Sequence, residues 1–267
     1  MCCTSKRNSP YICSRFLTHI CRNNMKRYIL PLCAALLSII CGCSEFAGEP
    51  VTQEFALSGT YTELDVADAF NVTVSKDVSK VVVTAGEKVM PKVVVETVDG
   101  ILKIHLRGAF GIRSGWSELK AVVPYSSKLK KIDFSGASEF RSDFPLEDDR
   151  VDIHLLGASK FYGKVAARNL DLAMSGASYT DVAGQANQLN LDLSGASKMS
   201  DKSSGRRYQF SCSKCEGAMS GASETYFHCD GDIRVEISGA SKLHYSGNAT
   251  TGDCRVSGGS TIAHDTL

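Results

Sequence analysis

Asp152 and Asp171, nineteen residues apart, are the first side chains whose type and spacing invite chemistry. If the chain repeats with that period they stack as neighbours about 5 Å apart, a separation that paired carboxylates use in glycoside hydrolysis. Asp133 and Asp192 add acidity nearby. The same columns also carry Lys, Arg or His, however, as an ordinary solvated face does. No activating base stands beside a nucleophile, and the recurring serines have no partnered His in the sequence. His105, His228, His244 and His264 share no metal-ligand spacing. A non-catalytic protein is therefore expected, without metal or cofactor. A carbohydrate-active enzyme using Asp152 and Asp171 stands as the alternative.

Cysteine supplies the second candidate chemistry. Of 11 cysteines, seven lie at or before position 43, leaving Cys212, Cys215, Cys229 and Cys254 for the folded part. Four thiols allow three pairings as two disulfides. Zinc would want a second closely spaced ligand pair beside Cys212-x-x-Cys215, and Cys229 and Cys254 are 25 apart. Counted back from the next recurring glycine, Cys212 stands nine residues before Gly221 and Cys229 ten before Gly239. That makes Cys212 and Cys229 a candidate disulfide on consecutive repeats. The one-residue difference in offset could point their side chains to opposite faces. Cys215 and Cys254 would be left as thiols.

Cys43 carries a third. Met25-Lys26-Arg27 is a short basic stretch, and Tyr28 to Ile40 is a mostly apolar run of 13 residues, too short to span a bilayer but suited to a cleaved export signal. It ends Ile40-Cys41-Gly42-Cys43-Ser44, which resembles a bacterial lipobox with Cys43 as the lipidated residue. Residues 1–24 read as a mis-called start or an extension, 25–43 as the lipoprotein signal and 44–53 as a linker. The first 43 residues hold six basic groups and no acid, so the remainder has 24 basic against 29 acidic residues. A weakly acidic body argues against nucleic acid, whose phosphates need clustered Lys and Arg.

The elements that must position these groups come from a repeat. A Ser-Gly-Ala-Ser type motif recurs seven times, around Gly136, Gly157, Gly176, Gly195, Gly221, Gly239 and Gly258, at spacings of 21, 19, 19, 26, 18 and 19. The long spacing places a loop insertion at Ser200 to Arg207. Two and four positions before each glycine the residues are nearly all apolar, as in Ile153 and Leu155 or Leu191 and Leu193, with polar residues between. Four positions after it come Phe140, Phe161, Thr180, Met199, Thr225, Leu243 and Ile262. Such alternation marks half-buried strands. Each repeat reads as a strand, a tight corner whose glycine permits unusual backbone angles, and a second short strand. About 19 residues suit one turn of a stacked repeat. The expected fold is therefore all-β, a right-handed parallel β-helix over residues 126–267, with small Ala and Ser stacking at the corners and hydroxyls bonding along the stack. Residues 54–125 are strand-rich without a visible period and would form the N-terminal cap, as irregular first coils or as a small β-layer closing the rod. Asp99-Gly100 sits between two of those strands as a hairpin turn. Tyr162, Tyr179, Tyr226 and Tyr245 fall just past corners, where they read as surface ladders in preference to sugar-stacking platforms.

Taken with Ser58-Gly59, Phe70-Asn71-Val72-Thr73-Val74, Gly100-Ile101-Leu102-Lys103-Ile104 and Ala121-Val122-Val123-Pro124, the serial turns give a chain that resembles the auto-transporter adhesin family with a head GIN domain, common among Bacteroidetes lipoproteins. The resemblance covers about residues 54–262 and implies a pectin-lyase-like right-handed β-helix. The tripeptide Gly-Ile-Asn itself is absent; the nearest string is Gly111-Ile112-Arg113. The resulting expectation is an exported envelope lipoprotein at the outer membrane or cell surface, held by its N-terminal lipid and offering an adhesin-like surface to a glycan or protein ligand. A purely structural envelope component is the third reading.

Overall fold

The structure is a computed structural model that describes residues 48–108, 118–200 and 208–266. Cys43, the signal stretch, Gly111-Ile112-Arg113 and most of the proposed loop insertion, Ser203 included, lie outside the described residues.

Residues 44–267 form one compact unit. In chain order its strands are β1 (Pro50–Phe55), β2 (Glu63–Val66), β3 (Phe70–Ser75), β4 (Val81–Gly86), β5 (Val93–Val98), β6 (Ile101–Leu106), β7 (Leu119–Pro124) and β8 (Lys131–Phe134). The long strands β9 (Glu139–Leu155), β10 (Lys160–Met174) and β11 (Tyr179–Leu193) follow. The last six are β12 (Lys198–Met199), β13 (Phe210–Met219), β14 (Glu224–Ile237), β15 (Lys242–Ser246), β16 (Arg255–Val256) and β17 (Thr261–His264). β1 begins inside the stretch read as a linker.

These strands make a single mixed sheet of 17, mostly parallel, and this corrects the expected right-handed parallel β-helix. Three pairings are antiparallel: β1 with β4, β4 with β7 and β5 with β6. The motif period carries no information about them. β5 and β6 are joined directly through Asp99 and Gly100, both at positive φ (52° and 78°), as a two-residue hairpin requires. Nor do the first strands form a separate layer, because β2 pairs with both β6 and β8, and β3 with both β7 and β9. Between Gly136 and Gly195, moreover, each repeat is one long strand from corner to corner, not two short ones.

Within the parallel part the motif sets the register. Phe161 pairs with Phe140 on one side and Thr180 on the other, and Leu172 with Ile153 and Leu191, so like positions stack. Apart from Gly217, which is exposed, the predicted inward columns are buried from Ile132 through Ile237, and Phe140 and Phe161 stack at 5.2 Å between ring centroids. At the last motif the columns open, with Val256 51% exposed and Cys254 and Ile262 half-buried. The corner glycines all lie at φ between 68° and 78°. From Ala158 onward the residue after each glycine donates its N–H to the preceding glycine's carbonyl at 2.7 Å. The second motif serine is buried, and its hydroxyl mostly turns back on its own corner. Ser159 Oγ donates to Leu156 O, Ser178 to Ser175 O and Ser197 to Ser194 O, each at 2.7 Å. Those hydroxyls satisfy the bend's own carbonyls, so the serine column is not a ligand surface.

Candidate functional site

Parallel register brings Asp152 and Asp171 together as direct partners on β9 and β10. Arg150, two residues upstream of Asp152 and so on the same face, reaches both. Its Nε lies 3.0 Å from Asp152 Oδ1 and 2.9 Å from Asp171 Oδ2. The Asn190 amide donates to Asp171 Oδ1 at 2.6 Å, and Gln188 to Asn190 at 2.8 Å. The two carboxylates hold the Arg150 guanidinium even further above its usual range, with the Asp152 hydrogen bond the main cause. One oxygen of each carboxylate thus faces Arg150, and the other Asp171 oxygen enters an amide ladder. Arg150 is the residue that the carboxylate argument missed, and the period-two alternation could have found it.

A hydrogen-bonded Ser–His–Asp chain also went unrecognised. Ser246 Oγ lies 3.0 Å from His228 Nδ1, and His228 Nε2 lies 3.0 Å from Asp230 Oδ2. Asp230 Oδ1 accepts from the Asn248 backbone N–H at 3.1 Å. The hydrogen bond from His228, then that from Asn248, holds the Asp230 carboxyl below its ordinary range. Such a chain would resemble a nucleophilic triad, but Ser246 is 1% exposed and its hydroxyl is closed to substrate. It ties β14 to β15. Among the described residues no group of three or more His, Cys, Asp or Glu is placed to hold a metal ion.

The tyrosines divide. Tyr226 and Tyr245 are buried, and each packs against a histidine on the next strand: Tyr226 on His244 at 4.5 Å, and Tyr245 beside His264 at 5.0 Å. Tyr162 and Tyr179 stay partly exposed, with ring centroids 5.7 Å apart. Arg141, the register partner of Tyr162, lays its guanidinium carbon 3.9 Å over the Tyr162 ring and bonds Glu139 at 2.5 Å. Cation–π contact of this kind fixes the ring and the charge together. Beside them lies a shallow cavity of about 250 Å³, walled by Arg141, Asp143, Tyr162, Lys164, Asp181 and Gln209. An aromatic ring, cations, carboxylates and an amide line this one shallow, mostly polar depression.

The cysteines lie elsewhere. Cys212, Cys215 and Cys229 are buried and Cys254 is partly so, donating to Ile233 O at 3.1 Å. Cys212 and Cys229 are direct register partners on β13 and β14. The one-residue offset counted from the glycines is absorbed by a bulge just after them, where Asp230 and Gly231 face Ser213 alone before Lys214 pairs with Asp232.

A family model described as "Putative auto-transporter adhesin, head GIN domain" matches residues 60–249. A solved "putative adhesin" of Bacteroides fragilis NCTC 9343 is similar at TM-score 0.68 and 16% identity, covering 81% of this chain and 97% of that one. A "putative lipid binding protein" of Parabacteroides distasonis ATCC 8503 is similar at TM-score 0.61 and 19% identity, over 82% and 98%. A "putative adhesin" of Parabacteroides merdae ATCC 43184 follows at 0.60 and 16%, over 82% and 97%. At these identities the likeness is one of fold. The comparison with curated proteins finds no match.

Proposed function

The chain belongs to the auto-transporter adhesin family with a head GIN domain, and we propose on that premise that it is a non-catalytic, adhesin-like binding module of the cell envelope. In this reading it is exported, lipidated at Cys43, and engages a glycan in the cavity beside Arg141 and Tyr162. The observation that carries the reading is the Arg141–Tyr162 stack on the wall of that cavity. Arg141, held over one face of Tyr162, together with Lys164, Asp181 and Gln209 offers donors and acceptors to sugar hydroxyls, with the Tyr162 ring as the apolar flank. The carbohydrate-active alternative is disfavoured by Arg150, which occupies the space between Asp152 and Asp171.

A glycan array probed with residues 44–267 tests this. Binding to a defined glycan class that falls at least about tenfold in Tyr162→Ala and in Arg141→Ala is the expected result. Equal binding by both variants would move the site elsewhere, and an array without any hit would remove the glycan.

A further inference from the structure

The cavity at Tyr162 is one feature of the surface; the buried thiols near the bulge are another, and they lead to a separate conclusion. β13 and β14 run parallel and in register at Cys212 and Cys229. In-register strands lie about 4.8 Å apart, inside the Cα range of about 4.4–6.8 Å that a disulfide accepts. Both side chains are buried in the same core, where Cys212 Sγ lies 3.7 Å from the His228 carbonyl and Cys229 Sγ 4.0 Å from that of Asp232. Cys215, by contrast, pairs with Ile233, and two exposed residues of its own strand separate it from Cys212. Cys254 gives its hydrogen bond to a backbone carbonyl.

Access is one-sided. Cys229 is fully buried, whereas Cys212 is 6% exposed and forms part of the wall of an open cavity with Gln185, Asn187, Ser211, His228 and Asp230. The order of events follows from that wall.

We propose that Cys212 and Cys229 are an oxidisable pair that closes to a disulfide across β13 and β14, with Cys212 as the entry thiol and Cys229 as the resolving thiol. The oxidant is a disulfide of the glutathione or thiol–oxidoreductase class. Cys212, the thiol that reaches the cavity, gives its proton to solvent, which later returns it to the second thiolate released, and its sulfur attacks one sulfur of the external disulfide. A Cys212 mixed disulfide forms and one external thiolate leaves. The Cys229 thiol then gives its proton to that leaving thiolate and attacks the Cys212 sulfur, expelling the second external thiolate. Two protein thiols are oxidised, one external disulfide is reduced to two thiols, and two electrons have moved. The new bond lies immediately before the place where the bulge at Asp230 and Gly231 interrupts the ladder between the two strands.

Peptide mapping of the full chain decides the matter. The purified protein is reduced, equilibrated with reduced and oxidised glutathione, acid-quenched and alkylated. Trypsin cuts after Lys214 and Arg234, and a Glu-specific protease after Glu216 and Glu224, so Cys212, Cys215 and Cys229 fall on three different peptides. The expected product is peptide 208–214 joined to peptide 225–234, with Cys215 and Cys254 alkylated. In Cys229→Ser, glutathione should stay trapped on Cys212. A Cys212–Cys215 link, alkylation of both Cys212 and Cys229 at every glutathione ratio, or stable glutathione on Cys212 of the unaltered protein would each overturn the proposal. Should Cys229→Ser not fold, the mapping of the unaltered chain still returns one of these outcomes.

Discussion

Gly195 lies so close over Gly176 that a Cβ added to it would stand 2.4 Å from the Gly176 carbonyl oxygen. That carbonyl cannot withdraw, because it accepts the Ala196 N–H at 2.7 Å. The corner therefore excludes a side chain twice over, by the positive φ of 73° and by the backbone beneath it.

Gly195→Ala is expected to lower stability by at least ~2 kcal/mol, since backbone strain and a displaced ladder hydrogen bond add together. Gly252→Ala is the control, because nothing lies within 4 Å of its added Cβ. Urea midpoints of the two variants measure the difference. Equal midpoints would contradict the corner geometry.

Arg150 separates two carboxylates that are register partners. Arg150→Ala should lower the Tm by roughly 2 °C, because it leaves Asp152 and Asp171 facing each other. Asp171→Asn placed in the Arg150→Ala background should recover most of the loss, since it removes one of the two like charges. Thermal melts of the single and double variants at low salt check this. No recovery in the double variant would mean that Arg150 acts through something other than charge.

The Asp230 carboxyl is held below the ordinary carboxylate value, first by the His228 hydrogen bond and then by Asn248. A depressed folded-state pKa adds stability that is present above the unfolded value and disappears as pH falls through the folded one. The Tm gap between the unaltered protein and Asp230→Asn should therefore be present above the ordinary carboxylate range and shrink as the pH falls below it. Melting curves taken from neutrality down through that range test it. A gap that does not shrink with falling pH would show that the carboxylate charge is not its source.

Cys43→Ser should shift the protein from the membrane fraction to the soluble fraction, with loss of the lipid mass from the N-terminal peptide. Unchanged membrane attachment together with a lipid-free peptide in the unaltered protein would refute the anchor.

How far the sequence reached can be judged residue by residue. Alternation and turn chemistry are local properties. They were enough to name Ile153, Leu155, Phe161 and Leu172 as core, the seven glycines as corners and Asp99-Gly100 as a hairpin turn. They were also enough to bring Asp152 beside Asp171, because a constant 19-residue spacing survives stacking unchanged. Tertiary structure decided the remainder. The antiparallel pairing of β4 with β1 and β7, between residues far apart in sequence, extends the mixed character of the sheet beyond the β5–β6 hairpin. Only the bulge at Asp230 and Gly231 brings Cys229 level with Cys212, since a bulge changes which residues face each other without changing the count along the chain. The cavity beside Arg141 and Tyr162 likewise needs side chains from neighbouring strands whose register no single repeat contains.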